Sequence, residues 1–158
     1  MDWENRSQSR PISHYGDKNI FVVHGHDEHA MLALSHMLHG FHLEPIILNE
    51  QANAGMTLIE KFQKYASSTN YAIVLLTPDD VGGIDSQHLL YRARQNVILE
   101  LGFFMGSLGR GRVCCVYRRG VELPSDIDGI VYVPYSRSVN ECYRDIEREL
   151  KNAGYHLS

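Results

Sequence analysis

The sequence predicts a single α/β domain in which helices cover both faces of a five-stranded parallel sheet, a three-layer sandwich. Three observations carry this. Short apolar runs alternate along the chain with segments of helical period, the pattern of strand–helix units joined by right-handed crossovers. The run Tyr71-Ala72-Ile73-Val74-Leu75-Leu76-Thr77 is apolar almost throughout, as a strand covered on both faces must be. With 158 residues, 44% hydrophobic and 22% charged, the chain can bury one core without disulfides or metals to hold it together.

The elements follow in order. Residues 1 to about 18, with Ser7, Ser9, Pro11, Ser13 and Gly16, show neither helical nor strand period and read as a flexible leader; the domain proper is expected at 19–154, with a short end at 155–158. Ile20-Phe21-Val22-Val23 is the first strand. It is closed by His24-Gly25-His26-Asp27, after which Ala30, Leu32, Leu34, Met37 and Leu38 mark a helix ending near Gly40. Pro45 to Leu48 makes the second strand, followed by a loop through Asn53 and Gly55. The next helix runs from Thr57 to about Tyr65, with Thr57 and Glu60 spaced as a capping box. Tyr71–Thr77 is the third strand. The Asp- and Gly-rich stretch from Pro78 to about Leu90 reads as a mobile loop. A helix from about Arg94 to Leu108, strands at Val113–Tyr117 and Ile130–Pro134, and a closing helix from Asn140 to about Asn152 complete the pattern. Leu123 to Ile130 reads as a rigid turn, with Gly129 supplying the permissive backbone.

Composition narrows the function. A formal charge of -4 argues against a broad phosphate-backbone surface, which needs clustered Lys and Arg, so no nucleic acid is expected as a direct partner. No apolar stretch approaches the roughly 20 residues of a membrane helix, and the acidic, polar start lacks a signal core. Cys114 and Cys115 are adjacent and Cys142 is alone, which gives neither a CxxC pair nor a disulfide framework. A reducing, cytoplasmic setting without membrane contact is the expectation.

Ligands of parallel sheets bind beyond the carboxyl ends of the strands, here among the loops around His24, Asn53, Pro78 and the start of the helix carrying Glu100. Arg92, Asn96 and Glu100 lie four apart, the spacing of a polar stripe on one helix. Ile98, Leu99, Leu101, Phe103, Phe104 and Met105 make that helix apolar almost all round, so it is expected to be buried, and a buried carboxylate needs a reason. Pairing with Arg92 or Arg94 would be the structural reason; chemistry would be the other. Gly102 and Gly106, each costing roughly 1 kcal/mol against Ala in a helix interior, suggest close packing on the sheet.

Two other readings attach to His24-Gly25-His26-Asp27-Glu28-His29. It nearly matches the HxHxDH zinc signature of metallo-β-lactamase-like hydrolases, but departs from it at Glu28, and that fold runs its strands antiparallel, so no metal is expected. Alternatively Gly25 leaves room for a phosphate or ribose at the turn before the first helix. Walker A, GxSxG and CxxC sequences are absent.

The segments Ile20–Gly25, Leu75–Val81, Arg92–Phe104 and Leu123–Gly129, above all Arg94-Gln95-Asn96-Val97-Ile98-Leu99-Glu100-Leu101-Gly102, together resemble the bacterial TIR-like "predicted nucleotide-binding" family, of the kind fused to STING-type sensors in anti-phage defence. The likeness extends over about residues 19 to 154. It implies a flavodoxin-like sheet and NAD glycohydrolase activity, with NAD as substrate and no cofactor. Glu100 falls on the family's catalytic glutamate, with Asn96, Arg94 and Arg92 in support. The resemblance further implies that the turn His24, Gly25, His26 and Asp27 holds part of the nucleotide, and that Glu50 to Met56, including Asn53, Gly55 and Met56, is the loop that opens on assembly. It makes a homo-oligomer or filament the expected active form, governed by a sensor in cis or in trans. A non-catalytic self-association module and a nucleoside deoxyribosyltransferase, which shares the fold type and a catalytic Glu, are the competing functions.

Overall fold

A computed structural model describes residues 18–48, 55–125 and 127–157. The leader expected at the N-terminus, except Lys18, lies outside the described residues, as do most of the loop before Gly55, including Asn53, and Asp126 and Ser158.

Strands β1 (Asn19–Val23), β2 (Glu44–Ile47) and β3 (Ala72–Leu76) alternate with helices α1 (Glu28–Gly40) and α2 (Leu58–Ala66). After β3 come β4 (Asp80–Gly83), β5 (Leu89–Arg92), α3 (Gln95–Leu108), β6 (Val113–Arg118), β7 (Val121–Glu122), β8 (Val131–Tyr135) and α4 (Tyr143–Asn152). Five of the strands form the main sheet in the order β2-β1-β3-β6-β8, and every pair in it is parallel. In chain order this is 2-1-3-4-5, the flavodoxin-like arrangement.

Side-chain alternation explains the three layers. Along β1, Ile20 and Val22 pack in one core with Met31, Leu34 and Leu38 of α1 and Ile146 and Leu150 of α4. Phe21 and Val23 face the opposite core, with Phe62 of α2 and Val97, Leu101 and Phe104 of α3. A period of two along the strand thus feeds two cores at once. Every residue of β3, in the middle of the sheet, is buried. Cys114 and Cys115 are neighbours in β6 and face opposite cores, and all three cysteines are free and buried. α2 starts as its sequence predicts: Thr57 Oγ1 accepts from the Glu60 amide at 3.3 Å, and Glu60 Oε2 accepts from the Thr57 amide at 2.7 Å.

Several expectations are corrected. Pro78 to Leu90 is largely not a loop: β4 and β5 form an antiparallel hairpin, to which the short β7 adds in parallel as a second, three-stranded sheet. Gly83 is what lets the hairpin close, since a Cβ there would strike the His88 backbone carbonyl, whereas one on Gly82 would meet only the movable end of the Arg92 side chain. The Arg92–Asn96–Glu100 stripe does not exist, because α3 begins at Gln95 and Arg92 belongs to β5. Nor is α3 buried all round: Val97, Glu100, Leu101 and Phe104 face the core, whereas Ile98 and Leu99 are exposed.

Gly102 and Gly106 lie on that open side. A Cβ added at either meets nothing within 4 Å, so close packing on the sheet is not their purpose. Replacing each with Ala relieves the entropic cost of glycine in a helix interior without a clash. Thermal or urea unfolding should show Gly102→Ala and Gly106→Ala each gaining about 0.5–1 kcal/mol. A loss of stability in either would mean that the helix is approached more closely than the structure allows.

Candidate active site

The strand order creates one crevice. β1 leads into α1 on one face of the sheet and β3 leads, through the hairpin, into α3 on the other, so their carboxyl ends diverge at a topological switch point. The elements that sequence pattern marked for chemistry, the turn 24–27 and the start of α3, flank this crevice.

Glu100 sits one and a half turns into α3, on its buried face between Val97, Leu101 and Phe104, and is only 6% exposed. Its side chain leans back toward the helix start. The carboxylate makes no hydrogen bond or ion pair with a described residue; burial dominates, and the pull of the Arg94 guanidinium opposes it without cancelling it. The result is a carboxyl pushed up to about 7. Neither arginine satisfies Glu100 structurally. Arg92 Nη2 instead donates to Glu122 Oε2 at 2.9 Å, and Arg94 caps α3 without a side-chain hydrogen bond. Asn96 is exposed, one turn before Glu100 but outside its buried surroundings.

The turn after β1 is ordered by its own polar groups. Asp27 caps α1 by accepting from the Ala30 amide at 3.0 Å. His24 Nδ1 lies 2.8 Å from the Gly25 carbonyl, which fixes this nitrogen as the donor, and leaves the buried Nε2 without a partner among the described residues. His26 is exposed. Gly25 does not open onto empty space, because the Asp79 carboxylate fills the volume that a Cβ would take. Asp79 is the residue that sequence reasoning missed. Its Oδ1 accepts from the Thr77 hydroxyl at 2.7 Å and the His26 amide at 3.2 Å, and its Oδ2 accepts from the Arg94 amide at 3.5 Å. Only its place directly after a buried strand hinted at this.

Gly55, held at φ 77°, and Met56 lead into the Thr57 cap of α2. α2 packs against α3 through Phe62, whose ring lies 5.2 Å from Phe103 and 6.2 Å from Phe104, so Gly55 and Met56 approach the site from the Glu100 side of the sheet. An open groove of about 290 Å³, lined by Arg92, Ala93, Gln95, Ile98, Glu122, Leu123 and Pro124, runs beside the start of α3. Glu100 does not line it, and two of its lining residues, Arg92 and Glu122, are already paired at 2.9 Å. Among the described residues no cluster of three or more His, Cys, Asp or Glu could hold a metal ion, and no helix is long and apolar enough to cross a membrane.

Comparison with known proteins decides the family. The family model described as CAP12/Pycsar effector protein, TIR domain, matches residues 19–137, which takes in the switch point, the hairpin and all of α3. The chain belongs to this TIR family. Its relatives include the Uncharacterized protein YuaY of Escherichia coli strain K12, 44% identical over 124 residues that cover 78% of this chain and 40% of that one. Protein tirC of Dictyostelium discoideum is 32% identical over 80% of this chain and 69% of its own length. The Pycsar effector protein BcPycTIR of Burkholderia cepacia is 30% identical over 73% of this chain and 39% of its own. This TIR domain therefore spans well under half the length of YuaY and BcPycTIR.

Proposed function

We propose that this TIR domain cleaves the bond between nicotinamide and ribose in NAD, with Glu100 as the catalytic carboxylate. The observation that carries the reading is a buried carboxylate, without a partner among the described residues, on the helix whose start borders the switch point, in a chain of the CAP12/Pycsar effector TIR family. A glutamate with no structural partner in an apolar setting costs stability, and the natural reason to keep it is a positive charge that arrives with the substrate.

The chemistry asks little of the protein. Nicotinamide leaves as a neutral molecule when the C1′–N bond breaks, its nitrogen taking the bonding pair, and positive charge develops at C1′. Ionised Glu100 stabilises that centre, or holds the ribose hydroxyls beside it. Water adding to C1′ then gives ADP-ribose and one proton; attack by the adenine gives a cyclic product. Arg94 tunes the carboxylate through its charge, and Asn96 and Arg92 stand at the mouth of the same segment. His24 offers its Nε2, which has no partner among the described residues, to a ribose hydroxyl or amide, with His26, Asp27, Gly55 and Met56 completing the nucleotide's surroundings.

Names among the relatives, Pycsar effector and CD-NTase-associated protein 12, support a role as an effector in bacterial anti-phage defence that answers a nucleotide signal through a sensor in cis or in trans. Self-assembly into an oligomer or filament switches it on. Purified protein, concentrated or assembled with a crowder, should release nicotinamide from NAD and leave nucleosides without base exchange. Assembly without nicotinamide release would instead favour a pure self-association module, a reading that the exposed Ile98 and Leu99 on α3 support. Base exchange with NAD untouched would identify a deoxyribosyltransferase.

A further inference from the structure

We infer that Asp79 is a built-in anion that fills the switch-point crevice, ties the turn after β1 to the start of α3, and bars phosphate groups from the place where this sheet order usually receives them. The inference goes beyond the proposed reaction and holds whether or not NAD is the substrate.

In flavodoxin-like sheets, ligand phosphates settle at the switch point on main-chain N–H groups of the turns and helix starts that flank it. Two such groups flank the crevice here. The His26 amide comes from the β1 side and the Arg94 amide from the β3 side, and each donates to a different oxygen of one carboxylate. Thr77, itself 1% exposed, pins the first of those oxygens with its hydroxyl. α3 has no side-chain cap and no acidic residue in its first turn, so Asp79 supplies from outside both the acceptor and the negative charge that a helix start favours. Gly25 completes the arrangement. The glycine that suggests room for a phosphate in the sequence leaves room for Asp79, because a Cβ there would collide with its carboxylate. A phosphate entering this crevice would meet a fixed like charge and find its donors already engaged.

The test compares the parent chain with Asp79→Ala, Gly25→Ala and the double variant, using inorganic phosphate against chloride at equal ionic strength. Asp79→Ala should melt lower in chloride and recover saturably as phosphate fills the vacated donors, while the parent gains no more than a general salt effect. Gly25→Ala should lower the melting temperature of the parent but not lower it further once Asp79 is removed, because the clash has gone. Should Asp79→Ala fail to fold, the parent alone still decides: its His26 and Arg94 amide resonances should not move when inorganic phosphate is titrated in. Phosphate-dependent shifts of those amides in the parent, equal phosphate stabilisation of parent and Asp79→Ala, or an undiminished Gly25→Ala penalty in the double variant would each overturn the inference.

Discussion

Glu100→Gln should leave the domain more stable than the parent by about 3 kcal/mol at pH 8, while abolishing NAD cleavage. The sign follows from the shift. Burial lifts the Glu100 carboxyl from an ordinary value of 4.5 to about 7, so between those values the folded chain holds a proton that the unfolded chain has released. The unfolded state binds fewer protons there, and stability falls as pH rises through this window, flattening above the folded value. Gln carries no proton to lose. Parent and variant should therefore differ little at pH 4, diverge from about pH 4.5 to 7, and stay apart above it. Urea unfolding at pH 4, 6 and 8 reads this directly; a gap that ignores pH, or a variant weaker at pH 8, would refute it. Turnover should move the other way. If ionised Glu100 stabilises the developing charge, the parent's activity rises toward a plateau above about pH 7, where Glu100→Gln loses on the order of 10²-fold or more, and the deficit narrows as the parent's carboxylate is protonated at lower pH. A residue that weakens the fold while serving the reaction is the common trade between stability and function.

Phe104→Ala should cost the fold about 3–5 kcal/mol, the largest effect of any single truncation named here. Phe104 is fully buried, one turn beyond Glu100 on the same face of α3. Its ring centroid lies 4.6 Å from that of Phe21 in β1, 5.4 Å from Phe103 and 6.2 Å from Phe62 in α2. Truncation deletes the apolar contact area and leaves a void bounded by a strand and two helices, which cannot all relax into it. Against a total stability of about 5–15 kcal/mol that loss is decisive. Ile98→Ala, on the exposed side of the same helix, should stay within about 0.5 kcal/mol. Comparable losses at both positions in chemical denaturation would contradict the one-sided burial of α3.

The same helix shows what the sequence made legible and what it hid. Its existence and the singularity of Glu100 were readable, because helical apolar period and a lone acid do not depend on distant partners. The buried strands were readable for a similar reason: Ala72–Leu76 is apolar on both faces because the sheet is covered on both. The Thr57–Glu60 box declared itself through a local hydrogen-bond exchange. Which side of α3 is covered was not readable, since Ile98 and Leu99 are as apolar as Leu101 and only the three-dimensional neighbours distinguish them. The hairpin was hidden by its own requirements. Gly83 is there to let the His88 backbone come close, yet glycines such as Gly82 and Gly83 are the usual mark of a loop. Asp79 was hidden by distance: beyond the Thr77 hydroxyl two residues away, its main-chain donors lie 53 residues before it at His26 and 15 after it at Arg94.

The adjacent thiols of β6 turn the two-sided sheet into an instrument. Cys114 belongs to the core under α1 and α4, Cys115 to the core under α2 and α3, and Cys142 lies beside the start of α4. Burial holds all three in the unreactive thiol form, raising Cys115 to about 12 and Cys142 to about 11, with Cys114 raised as well. A thiol reagent mixed with the native chain is then slow at every site, and each modification dates the opening of one layer. Mass mapping of the labelled cysteines would separate a domain that sheds the Glu100 layer first from one that opens both layers together.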